Sequence, residues 1–290
     1  MLGIPSFRPC PPPRPCLTQD FFFQVRIFQF SVPPKGGYSN ALTTPTHIPL
    51  IVIPTYNTGP KVLTVVSAVV ALGHPVIVMV DGSTDGTATQ LQALRARHAN
   101  LEVLVHEKNR GKGAAVMTAA RHARDLGATH LLSFDADGQH PASAIAEYLK
   151  ASEDHPSALI AGYPIFDASA PWERVFWRKL ANFWTNFLSV QGGLKDSMFG
   201  MRVYPLLPLL RILEAGDSGQ RYDFECVAAI QLGRMKVPFV NVPTPVQYFL
   251  KEEGGVSHYR YGRDNVRLAM VYLFLIPSAC LGRIRKALGR

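Results

Sequence analysis

The chain of 290 residues has few cysteines, and their arrangement argues against a disulfide or zinc scaffold. Cys10, Cys16, Cys226 and Cys280 form no C-x-x-C pair, and no histidine lies at the spacing of a zinc finger. Because nothing suggests a disulfide framework, a reducing compartment is the simpler interpretation. A secretory signal is not visible either, since prolines interrupt the start of the chain where the apolar core of such a signal would lie.

Long apolar runs are also missing. The longest one without a charge, Leu268–Leu281, would span about 21 Å as a helix, whereas a hydrocarbon core is about 30 Å thick. Pro277 interrupts it, and a basic cluster that ends at Arg290 follows it. Two interpretations remain open: a segment that lies on an anionic membrane surface, or a terminal helix that packs on the core.

The net charge of +9 is distributed unevenly along the chain. Residues 1–45 carry a net charge of +3 and residues 257–290 a net charge of +6, whereas the stretch between them contains equal numbers of acidic and basic residues. Basic residues beside an apolar run favour a membrane surface over nucleic acid, so no nucleic-acid partner is expected. We expect a poorly structured, proline-rich leader over 1–46 and a basic, apolar segment that associates with membranes over 256–290.

From Pro49 onward, apolar runs of strand length alternate with segments of helix length. The predicted strands cover 49–54, 75–80, 101–106, 130–134 and 158–163, and the predicted helices cover 61–72, 86–99, 111–127 and 141–150. This alternation predicts an α/β fold, with a mostly parallel sheet and helices on both faces. Beyond residue 165 the pattern changes to an amphipathic stretch over 171–190, a strand over 198–205, a helix over 221–233 and an extended strand over 236–249, whose prolines suit a sheet edge.

Ligands of parallel α/β sheets bind beyond the carboxyl ends of the strands, so the loops that follow the strands are the candidate sites. After the first four strands these loops read PTYNTGP, DGSTDGT, EKNRGKG and DADGQH. The third loop places Lys112 and free backbone N–H groups at the start of a helix, which suits an anion. It is not a Walker A loop, which requires G-x-x-x-x-G-K-S/T.

The fourth loop places two carboxylates, Asp135 and Asp137, directly after a buried strand. In extended chain they lie on one side, and Gln139 continues the series. Oxygen ligands suit Mg²⁺ or Mn²⁺, and such a metal can hold a diphosphate. Two other interpretations stay open, a cap for the next helix and the aspartate nucleophile of a phosphatase, whereas an EF-hand fails because its position 12 would be Ala146.

Taken together, the motifs I-P-T-Y-N, D-G-S-T-D-G-T, N-R-G-K-G-A-A and D-A-D-G-Q-H-P, each after a predicted strand, resemble the GT-A glycosyltransferases of family 2. The resemblance is greatest to the polyprenyl-phosphate (dolichyl-phosphate) mannose or glucose synthases. A looser similarity continues through D-S-M-F-G-M-R-V-Y-P over 196–205. The resemblance implies a Rossmann-like GT-A sheet in a domain over 47–255, with a nucleotide-sugar half over 47–165 and an acceptor half over 166–255.

The resemblance also implies a role for each matching residue. The nucleotide sugar would contact Pro54, Thr55, Tyr56, Asn57, Asp81, Lys112, Asp135 and Ala136. A divalent metal, Mg²⁺ or Mn²⁺, would be held by Asp135, Asp137 and Gln139. The acceptor would contact Arg174, Arg178 and Arg202. Catalysis is assigned to Asp137 and to Asp196, which would be a base or would position the acceptor, with Asp223 and Glu225 behind it.

The implied reaction is the metal-assisted, inverting transfer of one sugar from a UDP- or GDP-linked donor to a lipid carrier such as polyprenyl phosphate. The Q-x-x-R-W signature of processive synthases is absent, which favours single transfer, and Val80 replaces the first aspartate of the usual D-D-G-S motif. The expected location is peripheral, on the cytoplasmic face of a membrane. Two alternatives are a phosphatase that uses Asp135 as its nucleophile and a nucleotide-sugar-binding protein without catalysis.

Overall fold

The computed structural model describes residues 47–165, 172–215, 223–246, 268–273 and 275, with side chains omitted for 172–174. All of them belong to one compact unit, Thr44–Arg290, and the predicted leader over 1–46 lies outside the described residues. The strands are β1 Pro49–Thr55, β2 Val76–Asp81, β3 Leu101–His106, β4 His130–Ser133, β5 Leu159–Ile165, β6 Arg202–Pro205 and β7 Phe239–Pro245. The α-helices are α1 Lys61–Val70, α2 Thr87–Arg95, α3 Lys112–Asp125, α4 Ile145–Asp154, α5 Trp172–Leu188, α6 Leu206–Glu214 and α7 Phe224–Arg234.

These strands form one sheet in the order β3-β2-β1-β4-β6-β5-β7. Strand β6 runs antiparallel to its neighbours β4 and β5, and the other pairs are parallel. The predicted mostly parallel α/β sheet is therefore confirmed. The edge position of β7 is confirmed as well, and it accommodates Pro243 and Pro245 because a proline has no N–H to donate to a further strand.

Apolar cores on both faces of the sheet confirm the two predicted helical layers. Side chains alternate between the faces along a strand, so Leu50 and Val52 of β1 pack with residues of α3, α6 and α7. Ile51 and Ile53 of the same strand pack with residues of α1 and α4 on the opposite face. The sheet is thus buried on both sides, and its ends and loops are the places where polar groups can meet a ligand.

Several elements differ from the sequence-based prediction, among them α6, β6 and α4. Helix α6 was not predicted, and it accommodates Pro208 because the third residue of a helix needs no N–H donor within the helix. The strand predicted over 198–205 begins only at Arg202, because the preceding residues form a loop beside Asp135. Helix α4 begins at Ile145, after a short 3₁₀ turn at Ala142–Ala144, and it ends later than predicted.

The described part of the C-terminal segment is helical and packs on the core with one face. Leu268 and Tyr272 are buried in a cluster with residues of α5 and α7, and the Tyr272 hydroxyl lies 3.1 Å from Thr185 Oγ1. Met270 and Leu273 are exposed. Among the residues that the structure describes, no helix is both long enough and apolar enough to cross a membrane.

Candidate active site

The loops after β1 and β2 are bound to each other by hydrogen bonds. The backbone N–H of Asn57 donates to Ser83 Oγ at 3.0 Å, and Asn57 Oδ1 accepts from the Thr84 N–H at 2.8 Å. Asn57 has a φ of 45°, in the left-handed region that asparagine tolerates better than most residues. Of the nucleotide contacts predicted in the first loop, Thr55 is buried with its hydroxyl 2.8 Å from that of Thr58, whereas Tyr56 is exposed.

Asp81, at the end of β2, connects the second loop to the third. Its carboxylate accepts from the backbone N–H groups of Arg110 at 2.9 Å and Gly111 at 2.7 Å, and it also lies 2.7 Å from His106 Nδ1. The side chain is buried, so these contacts fix the loop that leads into α3. The predicted contact of Asp81 with a base stays a prediction, because in the structure its two oxygens bind protein groups.

Gly82 allows the second and third loops to touch directly. Its φ is +69°, and a Cβ atom at this position would lie 2.8 Å from the Cα atom of Lys108, too close for a carbon contact. A side chain would therefore both strain the backbone and separate the loops. The glycine places the polar ends of β2 and β3 together at one edge of the sheet.

Lys112 is the first residue of α3, and its ammonium contacts two carboxylates from different elements. Nζ donates to Asp135 Oδ1 at 2.6 Å and also contacts Glu225 Oε1, in the first turn of α7. Burial alone would lower the pKa of Lys112, but the charges of Asp135 and Glu225 outweigh it and raise the pKa above its usual value. The lysine is therefore a permanent cation at this position.

Asp135 and Asp137 have different electrostatic surroundings. Burial would raise the pKa of Asp135, but Lys112 and His140 outweigh it and hold that pKa well below its usual value. For Asp137, burial raises the pKa, and the charge of Asp135 raises it further. Asp137 Oδ1 accepts from the Gln139 N–H at 2.9 Å, and within the described part of the chain no ion pair neutralises Asp137.

The backbone of Gly200 packs closely against the Asp135 carboxylate. A Cβ atom at this position would clash with the Asp135 carboxylate, lying 2.6 Å from its carbon Cγ. His140, also buried, has its Nε2 atom 3.8 Å from Asp135 Oδ2. The loop after β4 is therefore packed against the loop that carries Gly200, and Ala136, predicted to contact the nucleotide sugar, is buried within it.

The residues of this loop fit a divalent metal by their chemistry. Asp135 and Asp137 offer carboxylate oxygens and Gln139 an amide oxygen, which are the ligands of Mg²⁺ and Mn²⁺. Across the described ranges, no three His, Cys, Asp or Glu side chains form a group that could hold a metal. The loop itself offers two carboxylates, which is the usual number when substrate phosphates supply further ligands to Mg²⁺.

On the acceptor side, Asp196 is buried and paired. Arg178 Nε lies 3.0 Å from Asp196 Oδ2, and the other carboxylate oxygen accepts from the Met198 N–H at 2.9 Å. These contacts occupy both oxygens of Asp196. The structure thus brings Asp196 and Arg178 together, and their roles toward an acceptor stay predictions, whereas the side chain of Arg174 lies outside the described part.

Arg202 does not occupy the position expected of an acceptor contact. It is 0% exposed, and its guanidinium donates to the backbone carbonyls of Phe199, Glu225, Asp196 and Ser197 at 2.7–3.2 Å. Four internal acceptors and complete burial leave it no access to a ligand. The prediction of a direct acceptor contact is corrected accordingly: Arg202 connects the loop that carries Asp196 to the start of α7.

Sequence reasoning missed three features of this site: the contact of Glu225 with Lys112, the position of Gly200 beneath Asp135, and that of His140 beside it. Glu225 was considered only as a residue behind Asp196. No local pattern could have linked it to Lys112, because the two residues lie in different halves of the predicted domain. The glycine inside M-F-G-M-R was a weak signal, since an isolated glycine in a strand pattern often marks a close approach.

Comparison with known proteins agrees with this geometry. The Glycosyl transferase family 2 model matches residues 50–205, which begin in β1 and end with β6 and so include all four loops. The UDP-N-acetylglucosamine–dolichyl-phosphate N-acetylglucosaminyltransferase of Methanococcus voltae is 27% identical over 214 residues, which cover 68% of this chain and 85% of that protein. The polyprenol monophosphomannose synthase of Mycolicibacterium smegmatis is 29% identical over 242 residues, which cover 81% of this chain and 89% of that protein.

A solved structure shows a weaker similarity. S. aureus TarS 1–349 in complex with UDP-GlcNAc matches with a TM-score of 0.48 and 14% sequence identity, covering 79% of this chain and 66% of that one. The family match confirms the resemblance of the four motifs to family 2. None of these comparisons supports the phosphatase alternative.

Proposed function

As this chain belongs to glycosyl transferase family 2 and is therefore a glycosyltransferase, we propose that it transfers one sugar from a nucleotide-diphosphate sugar to a lipid phosphate. The observation that carries the proposal is the contact between Lys112 and Asp135, which joins the loops after β3 and β4. It places a cationic group and a carboxylate pair together at the carboxyl edge of the sheet, where a nucleotide diphosphate and its metal need both.

A divalent metal, Mg²⁺ or Mn²⁺, would be held by Asp135, Asp137 and Gln139. Bound there, it would supply positive charge that stabilises the departing diphosphate. Lys112 would add a further positive charge on the same side of the sugar, at the start of α3, where free backbone N–H groups also favour an anion. The first two loops, bound to each other through Asn57, would hold the base and ribose.

An acceptor that is already ionised suits the surroundings of Asp196. A hydroxyl acceptor needs a base to take its proton, but both oxygens of Asp196 are occupied by Arg178 and the Met198 N–H. A phosphate monoester carries one to two negative charges near neutral pH and needs no such base. Its oxygen would attack the anomeric carbon from the face opposite the diphosphate, so that one C–O bond forms as the other breaks and the configuration inverts.

The names of the two relatives support a lipid phosphate, since they refer to dolichyl phosphate and to polyprenol monophosphomannose. Such an acceptor lies in a membrane, and the exposed apolar residues Phe176, Trp177 and Phe183 of α5 would face it. Exposed Leu273 of the C-terminal segment would add to this surface. We extend the proposal to peripheral association with the cytoplasmic face of the membrane. UDP- or GDP-linked donors and the free thiol of Cys226 are compatible with that location.

The proposal is tested by incubating the full chain with UDP- and GDP-linked sugars, Mn²⁺ or Mg²⁺, and either a short polyprenyl phosphate or the matching polyprenol. Transfer should require a metal and the phosphate group. Replacing Asp137 by Asn should lower the rate by about 100-fold or more, whereas Asp154→Asn, which removes an exposed carboxylate paired with Lys150, should not. Equal transfer to the polyprenol and to the polyprenyl phosphate would reject the proposed acceptor. No transfer with any donor would reject the proposed reaction.

A further inference from the structure

In this structure the cation that contacts Asp135 at hydrogen-bond distance is the ammonium of Lys112. We propose that Lys112 competes with the divalent metal for Asp135, and that Glu225 is the positioning residue that receives Lys112 when the metal binds. The inference rests on the proposed function, because it concerns the metal that would accompany the nucleotide sugar. It assigns Glu225 a part in donor binding, although Glu225 belongs to the acceptor half.

Three elements meet at the Lys112 ammonium. Lys112 begins α3, Asp135 follows β4 and Glu225 lies in the first turn of α7, and the lysine side chain is about one-fifth exposed. The chain before Lys112 is fixed, because the Gly111 N–H donates to Asp81. The chain at Glu225 is fixed too, because its carbonyl accepts from Arg202 at 2.7 Å. The flexible lysine stem is therefore the part that can move between the two carboxylates.

The charges of this cluster leave room for both cations. Asp135, Asp137 and Glu225, when ionised, carry three negative charges against the single positive charge of Lys112. One divalent ion would neutralise the remaining two, so the metal need not expel Lys112 from the cluster. The metal and the Lys112 ammonium would compete only for the Asp135 oxygen that Lys112 contacts, because two cations at one carboxylate oxygen repel each other.

Glu225 makes this exchange possible. Without Glu225, Asp135 would be the one carboxylate that Lys112 contacts among the described residues. A lysine that left Asp135 would then be a largely buried ammonium without a carboxylate partner. With Glu225 present, Lys112 can leave Asp135 and keep a carboxylate partner. If Glu225 only supported the fold, replacing it would change stability alone. If Glu225 positions Lys112, replacing it changes the affinity for the metal.

The test measures the binding of Mn²⁺ alone to the full chain, without nucleotide, by isothermal titration calorimetry. Lys112→Met should lower the Kd for Mn²⁺, and Glu225→Gln should raise it, each on the order of tenfold. Lys112→Arg keeps the charge and should leave the Kd closer to that of the wild type. Glu214→Gln is the matched control, because it removes a carboxylate that pairs with Arg121 and Arg124 instead.

The double variant separates a positioning role from a simple charge effect. If Glu225 acts through Lys112, Glu225→Gln should have little effect on the Kd once Lys112 is already Met. Equal weakening of Mn²⁺ binding by Glu225→Gln in both backgrounds would overturn the positioning role. The melting temperature of each variant is compared with that of Lys112→Arg. A variant whose melting temperature is much lower has lost structure, and its change in Kd is then not counted as evidence.

Sugar transfer by the same preparations distinguishes the two proposals. Suppose that the wild type transfers sugar in the presence of metal. If all variants then bind Mn²⁺ equally, or if none binds it without nucleotide, the exchange of Lys112 is overturned and the proposed function stands. If the wild type fails with every donor, the proposed function falls, while the Kd values still decide the exchange. Binding of Mn²⁺ by Lys112→Met alone would support competition most directly.

Discussion

The backbone of Gly200 lies against the carboxylate of Asp135, so closely that a methyl group at Gly200 would overlap the Oδ2 atom. Gly200 belongs to the loop before β6, and Asp135 belongs to the loop after β4. The antiparallel pairing of β4 with β6 brings the two loops to the same edge of the sheet. A residue from the predicted acceptor half thus packs against a residue of the predicted nucleotide-sugar half.

Gly200→Ala is therefore expected to disturb the donor site more than the fold. The added methyl group must displace the Asp135 carboxylate, a proposed ligand of the metal, so the Kd for Mn²⁺ and the KM for the donor should rise on the order of tenfold. Calorimetry and initial rates measure these effects. Gly127→Ala, which strains a left-handed residue with open space around it, should lower the melting temperature and leave both constants unchanged.

Asp81→Asn should loosen the loop that leads into α3. An amide has one acceptor oxygen, whereas the carboxylate accepts from the N–H groups of both Arg110 and Gly111. We expect the free energy of unfolding to fall by about 1–3 kcal/mol, together with a higher KM for the donor, because Lys112 follows directly. Urea denaturation checks the first effect, with Asp125→Asn as an exposed control. An unchanged stability would contradict the role inferred for the Asp81 carboxylate.

Arg202→Lys should destabilise the protein, by about 3 kcal/mol or more. A lysine keeps the charge but lacks the fork that reaches four backbone carbonyls, so buried carbonyls would lose the donors that Arg202 supplies. Thermal or urea unfolding measures the loss, and exposed Arg211→Lys serves as the control. Normal stability combined with a higher KM for the lipid acceptor would instead support a direct contact of Arg202 with the acceptor.

The contact between His122 and Glu102 should make stability depend on pH. Their hydrogen bond raises the pKa of His122 above 6.5 and lowers the pKa of Glu102 below 4.5. The stability from His122 is fully present below pH 6.5 and is lost as the pH rises through its raised pKa, whereas that from Glu102 is lost as the pH falls through its lowered pKa. Urea unfolding of the wild type and His122→Gln should therefore differ more at pH 5.5 than at pH 8.5, and an equal difference at both would refute the pairing.

Much of the fold followed from local patterns in the sequence. Apolar runs of five or six residues separated by longer segments of helix length predicted five strands of a mostly parallel sheet, and the prolines near residue 243 predicted an edge strand. Helix α6 escaped prediction because Pro205 and Pro208 resemble helix breakers, although a proline in the first turn costs the helix no hydrogen bond. The shortened β6 escaped it because the loop before this strand is apolar yet curves around Asp135.

The sequence alone determined which loops lie together at the candidate site, because the polar residues that follow each strand must meet at the carboxyl edge of a parallel sheet. It also indicated Asp135, Asp137 and Gln139 as candidate metal ligands from their oxygen-bearing side chains, although the structure forms a turn at Ala136 and Asp137 where the sequence predicted extended chain. Only the tertiary structure decided that Lys112 contacts Glu225 and that Arg202 is buried among backbone carbonyls. The physical reason is that periodicity records which side of its own element a residue faces, whereas contacts between distant segments depend on how the elements pack together.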